Sequence, residues 1–156
     1  MKKILIPIFA LLSLCSLANN PGLIMDDTVH YKHSLDISPI SPVIGIYAVQ
    51  LNHHITPKSE IITGLAYMNI EFDFGKTHSP AFILGYRHYI WRNLHVEYQV
   101  WPCYDWFYET DEHEYYRGFD IWNEFRLGYK YDFRIKDQPV YVSLQWPLGF
   151  GLYAGN

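Results

Sequence analysis

Hydrolysis by a serine enzyme needs a Ser nucleophile, a His to take its proton and a carboxylate to orient the His. The chain holds eight histidines and 16 acidic residues, yet His33-Ser34 and His78-Ser79 are the close Ser–His neighbours in sequence. Adjacent residues of a strand project from opposite faces, so neither pair is expected to act as a catalytic dyad. Metal chemistry fares no better. His53-His54 falls in a predicted short turn where neighbours project apart, and one pair cannot fill the four-ligand shell of zinc. His30, His33, His88 and His95 scatter over three predicted strands and are read as interface or interior residues. No metal and no cofactor is expected. Glu109, Asp111, Glu112 and Glu114 crowd one predicted loop. Clustered carboxylates can hold a divalent cation such as Ca²⁺, but this spacing lacks the glycine of a calcium loop. A solvated acidic loop is expected, with Asp111, Glu112 and Glu114 as the residues to watch for a cation or a partner.

A larger charged set lies at alternate positions of strand-like segments: Arg87, His95, Glu97, Gln99, Asp120, Glu124, Arg126, Lys130 and Asp132. The element that fixes its meaning is 119–133. Phe119, Ile121, Phe125, Leu127, Tyr129, Tyr131 and Phe133 share one parity, with Asn123 the polar intruder, while Asp120, Glu124, Arg126, Lys130 and Asp132 share the other. Period-two alternation over this length is an amphipathic strand. Oily on one side and charged on the other, it suits a barrel wall with lipid outside and a polar lumen inside. Aromatic residues make up 18% of the chain while mean hydropathy is only -0.10, as happens when opposite faces cancel in a window average.

Seven strands are read: Thr28–Ser38, Val43–His53, Glu60–Phe72, Ala81–Ile90, Leu94–Tyr108, Phe119–Phe133 and Val140 to about Tyr153. Pro102 should bulge or break the fifth. Ser41-Pro42, Phe74–Pro80 and Glu109–Gly118 are expected as connections at one end, and Thr56–Lys58, Trp91–Asn93 and Lys136–Pro139 at the other. Tight links imply antiparallel hairpins. Fourteen steps from Phe119 to Phe133, tilted ~40°, climb roughly 35 Å against an apolar band of about 25 Å. Tyr104, Trp106, Phe107 and Tyr108 should then ring one rim, and Trp91, Tyr131 and Phe133 the other. A three-residue turn Trp91-Arg92-Asn93 would set Ile90 against Leu94, Tyr89 against His95, Arg87 against Glu97 and Gly85 against Gln99, with Asn93 in the left-handed region. Inside, Arg87, Glu97, Asp120, Glu124, Arg126 and Lys130 are expected to form an ion-pair network, since an unpaired buried charge costs several kcal/mol. Removing Arg87 or Glu97 alone should then cost more than removing both.

The chain opens Met1-Lys2-Lys3, then an apolar run to Leu14 and Cys15-Ser16-Leu17-Ala18 before Asn19-Asn20. That is the grammar of a secretory signal peptide over residues 1–18, cut after Ala18. The run is short for a bilayer-spanning helix. Cys15 raises lipoprotein acylation as the competing reading, though Leu14 stands where a lipobox wants a small residue. After cleavage Cys103 is left alone, which rules out an internal disulfide in the mature chain. Residues 19–156 then make one domain. A net charge of -4 argues against nucleic acid as a partner, since phosphate binding needs clustered Lys and Arg.

In the size and alternation of residues 28–153, the chain resembles the small outer-membrane β-barrels of Gram-negative bacteria, of the eight-stranded outer-membrane protein A and X type. The resemblance implies an all-β, antiparallel up-and-down transmembrane barrel of about eight strands, located in the outer membrane, with membrane lipid and lipopolysaccharide as its surroundings. It implies a structural, envelope-associated or loop-mediated binding role without catalysis. One alternative is a lipid-A-modifying barrel enzyme resembling the deacylases and palmitoyltransferases, although the deacylases' His-x-Ser is missing here. Another is a soluble periplasmic lipocalin-like barrel, whose apolar faces would line a cavity. A barrel of about eight strands is filled by its own side chains, which speaks against a general porin.

Overall fold

The computed structural model describes residues 11–16, 21–25, 28–135 and 138–155. Apart from 11–16, the expected leader lies outside the described residues. The elements run β1 (Leu11–Ser16), β2 (Pro21–Met25), β3 (Thr28–Tyr31), β4 (His33–Ile37), a 3-10 turn (Ser41–Ile44), β5 (Ile46–Thr56), β6 (Ser59–Phe72), β7 (Gly75–Trp91), β8 (Leu94–Glu109), β9 (Glu114–Ile135) and β10 (Gln138–Gly155). From β4 to β10 each strand pairs antiparallel with the next, making a curled sheet of seven strands. β1 pairs with both edges, β10 and β4, and completes a ring of eight. The eighth position is thus filled from within the expected leader. The short β2 and β3 pair with each other outside the ring.

Strand order follows the reading, and several boundaries do not. The segment expected to begin a strand at Val43 is a 3-10 turn, ended by Gly45 at φ 81°. A Cβ there would fall 2.0 Å from the Asn69 carbonyl oxygen, so the turn needs glycine on both conformational and steric grounds. Phe74–Pro80 is not a loop. β7 starts at Gly75, because β6 and β7 stay paired through Phe72↔Gly75. Glu109–Gly118 is likewise the end of a hairpin whose ladder continues to Glu109↔Glu114. Pro102 does not break β8. It pairs with Ile121 of β9, while the ladder toward β7 is interrupted around Pro80 and Pro102, two residues with no N–H to contribute.

The β7–β8 register is the expected one: Tyr89↔His95, Arg87↔Glu97 and Gly85↔Gln99. The turn that sets it differs. Trp91, not Ile90, faces Leu94, with a register shift between Tyr89 and Trp91. The left-handed residue is Arg92 at φ 48° rather than Asn93. Asn93 instead donates its amide to the Lys130 carbonyl (2.6 Å) and to Asp132 Oδ2 (3.0 Å), tying the turn to β9. The irregularity lets a two-residue turn keep both faces in phase.

The faces sort by chemistry. Outward stand Leu65, Phe82, Leu84, Val96, Phe125, Leu127, Tyr131, Trp146 and Leu148, all exposed, while the buried positions carry Asp36, Glu60, Arg87, Glu97, Gln99, Arg126, Lys130 and Gln145. Asn123, the exception on the outer parity, is buried. It accepts from Tyr98 Oη at 2.7 Å and donates to the Ile121 carbonyl at 3.1 Å, so its polarity is satisfied within the wall. At one end Tyr104 packs edge-on against Trp106 at 5.0 Å between centroids. At the other Trp91, Tyr131 and Phe133 are exposed. Phe107 stays at the end of Tyr104 and Trp106 but stands on the inward parity. It pairs with buried Thr77 and lies over Gly75, where a Cβ would come 2.4 Å from its ring.

Candidate functional site

Arg87 sits at the centre of the interior. Its Nε donates to Glu97 Oε2 at 2.5 Å, its Nη1 to Glu60 Oε2 at 2.7 Å, and its Nη2 reaches Asp36 Oδ2 at 3.4 Å. Three carboxylates from three other strands thus share one guanidinium, whose planar array of donors is suited to that work. Glu97 in turn collects donors from four strands: Arg87, Gln99 Nε2 (2.5 Å), Arg126 Nη1 (3.3 Å) and Gln145 Nε2 (3.4 Å). Arg126 also binds Glu124 through Nε and Nη2, at 3.0 and 2.5 Å.

The pairing explains why these groups meet. Glu60 lies directly opposite Arg87, Arg87 opposite Glu97, and Glu97 opposite Arg126. One row across β6, β7, β8 and β9 therefore alternates minus, plus, minus, plus, and directly opposed cross-strand residues are the ones that interact most. Around it, Tyr89 donates to Glu60 Oε1 at 2.8 Å, His54 Nε2 lies 2.6 Å from the same oxygen, and Lys130 Nζ is 3.8 Å away. Lys130 also stands 4.0 Å over the Tyr141 ring, within cation–π range. Tyr141 Oη donates to Asp36 and meets Ser34 Oγ at 2.9 Å and Asn52 Nδ2 at 3.1 Å. It therefore links β10 to β4 and β5 by side chain alone. Trp101 Nε1 donates to Gln99 at 2.7 Å, adding an aromatic plug above the row.

Five of the six residues expected as a network, Arg87, Glu97, Glu124, Arg126 and Lys130, come together. Asp120 does not. It lies on the same face but farther toward the other mouth, opposite Cys103, where Asp105 accepts from Thr77 and Ser79. Glu60, Asp36 and Tyr141 complete the site and were not singled out from sequence. His95 is fully buried with Nδ1 3.2 Å from the Asn93 carbonyl. It lies across Gly128, where an added Cβ would fall 2.3 Å from Nε2. Gly128→Ala should lower stability by about 1–3 kcal/mol, the usual cost of overpacking. Adding His95→Ala should restore part of that loss, since the two changes share one space. Denaturant unfolding of the single and double variants measures both.

Hydrolase geometry is not assembled at the close His–Ser neighbours. His33 turns to His53 while Ser34 turns to Tyr141, and His78 meets Tyr67 Oη at 3.2 Å while Ser79 faces Asp105. Ser59 Oγ does approach His88 Nδ1 at 3.1 Å, but the Tyr86 phenol lies on the same side, 2.8 Å from Ser59 Oγ and 3.4 Å from the same Nδ1, whereas the carboxylate of a triad holds the other ring nitrogen. An outer hollow of about 300 Å³, lined by Leu35, Val49, Leu51, Thr63, Gly64 and Leu65, carries no titratable group. Among the described residues no three His, Cys, Asp or Glu side chains gather as metal ligands, so Asp111, Glu112 and Glu114 do not form a cation cage. Glu112 instead accepts from Tyr116, whose phenol is pushed up to about 12 chiefly by that hydrogen bond. No protein-family model matches the chain, and neither a curated protein nor a solved structure does.

Proposed function

We propose that the chain is a small outer-membrane β-barrel with a non-catalytic interior filled by its own side chains, serving a structural or envelope role or binding through its loops. The observation that carries this reading is the inversion of the faces: a wall apolar outside and a lumen in which Arg87, Glu97, Gln99 and Lys130 are buried. In water such a wall exposes far more apolar surface than soluble monomers tolerate. In a bilayer the same arrangement is the stable one. A lipocalin-like barrel would need the reverse, with apolar side chains lining the interior. A lipid-A-modifying enzyme of the serine type would need a carboxylate on the His88 ring nitrogen opposite the one that Ser59 approaches, whereas Ser59 and the Tyr86 phenol both stand at Nδ1.

Fractionation with a heat-modifiability gel tests the reading. The protein should partition with outer membranes and shift in apparent size on boiling. A soluble periplasmic protein with no shift would overturn it. Export should cut after Ala18, so that N-terminal sequencing of the mature protein begins at Asn19, and a lipid-modified Cys15 would show that expectation wrong. Cleavage there removes β1, the strand that joins the edges β4 and β10, and leaves Tyr141 of β10 bound to Ser34 and Asp36 of β4 and to Asn52 of β5.

A further inference from the structure

His33 of β4 and His53 of β5 are direct cross-strand partners. The neighbouring bond from His54 N–H to the Lys32 carbonyl, 3.0 Å, makes Lys32 and His54 the hydrogen-bonded pair. His33 and His53 are then a non-hydrogen-bonded pair, the kind whose side chains lie closer. Their rings stand 4.5 Å apart between centroids, tilted by 36°, with Nδ1 to Nδ1 at 2.9 Å on the outer surface.

That spacing is an ordinary hydrogen-bond distance, and it also matches the separation of two donors on one metal ion. Two nitrogens each ~2.05 Å from one metal ion are ~2.9 Å apart when they subtend a right angle and ~3.3 Å when the angle is tetrahedral. Right-angled nitrogen donors with water in the remaining positions suit Cu²⁺ or Ni²⁺ rather than Zn²⁺, and copper binds such sites most strongly among the divalent first-row ions. We propose that His33 and His53 form a two-imidazole chelate on the outer rim that takes a square-planar divalent ion, Cu²⁺ before Ni²⁺. Without metal, one Nδ1–H donates to the other Nδ1. On binding, that proton leaves to water while the same ring takes one up at Nε2, so both Nδ1 lone pairs reach the ion and no net proton is released. The two Nδ1 groups, which point at each other in the hydrogen bond, must each turn by about 45° toward an ion they hold at a right angle, and the two backbones are already held in register. His33 opens β4 and His53 lies three residues from the end of β5, toward the end of the wall, where water can fill the remaining positions.

The test uses the full mature chain, without a polyhistidine tag, folded in detergent and titrated with Cu²⁺ alone in a non-coordinating buffer. Electron paramagnetic resonance should show one ion per chain with two imidazole nitrogens in the plane. His33→Ala and His53→Gln should each weaken that binding by ~tenfold or more, at least what loss of an outer-shell partner costs. His113→Ala, in an exposed turn at the far end, should leave it unchanged. Retention of the heat-dependent gel shift, or of the β-sheet circular dichroism spectrum, establishes that each variant is folded. A two-nitrogen signal that survives either rim substitution in folded protein would overturn the proposal, as would a wild-type chain that binds no Cu²⁺ at equimolar micromolar concentrations.

Discussion

Replacing Arg87 by Met is expected to destabilise the barrel by about 3–5 kcal/mol, the range for breaking a buried ion pair from one side. The substitution leaves Glu60, Glu97 and Asp36 around a side chain that can neutralise none of them. Glu97→Gln should cost less, because Arg87 keeps Glu60 and Asp36 and Arg126 keeps Glu124. The double variant should fall short of the sum of the singles, since the two changes act in one network. Arg87 is nonetheless a hub rather than half of a pair. Removing both partners therefore leaves the net charge as it was but still takes the guanidinium from Glu60 and Asp36, and the Arg87 single and the double should lie close together. Urea unfolding of the detergent-folded protein, followed by tryptophan fluorescence, measures all three. Simple additivity would show that the row is not coupled.

Leu127→Arg is expected to cost roughly 2–4 kcal/mol when the protein is folded into a bilayer, if Leu127 sits near the midplane. The side chain is exposed on the outer face, between the buried Arg126 and Gly128. In detergent-free water an exposed position of this kind tolerates charge to within about 0.5 kcal/mol. The size of the change in vesicles therefore reports on what the apolar face touches. Phe125 and Trp146 flank the same belt, and Trp146 fluorescence should blue-shift and be quenched by lipid-borne quenchers.

How much of this was legible depends on the range over which each residue acts. The face of Glu124, Arg126 and Lys130 follows from parity within one strand, and the pairing of Arg87 with Glu97 follows from one hairpin with a short turn. Glu60 was harder to see, because the inward positions that follow it in β6 are Ile62, Gly64 and Ala66, which blur the alternation. Tyr141 and Asp36 meet across 105 residues, a contact that no local pattern encodes. Asp120 shows the opposite error. Parity gave its face correctly but carried no information on height along the barrel. Gly75 and Pro80 have the composition of a loop, yet the ladder to β6 runs through both. The pairing of His33 with His53 needed the offset between β4 and β5, which is set by the whole sheet.

The alternating row across β6 to β9 also acts as a check on alignment. A slip of one residue turns a strand inside out and is forbidden by its oily face, but a slip of two restores both faces, so hydrophobic patterning is blind to it. The charges are not. Moving β8 by two against β7 would set Arg87 opposite His95 or Gln99 and Glu97 opposite Gly85 or Tyr89. Moving β9 by two against β8 would bring Glu97 to Gly128 or to Glu124, a like charge. In each misalignment a carboxylate and a guanidinium lose each other inside a space that water does not reach. The ladder therefore reads position at twice the period of the pleat, and it distinguishes the one alignment that the apolar belt alone would accept among several.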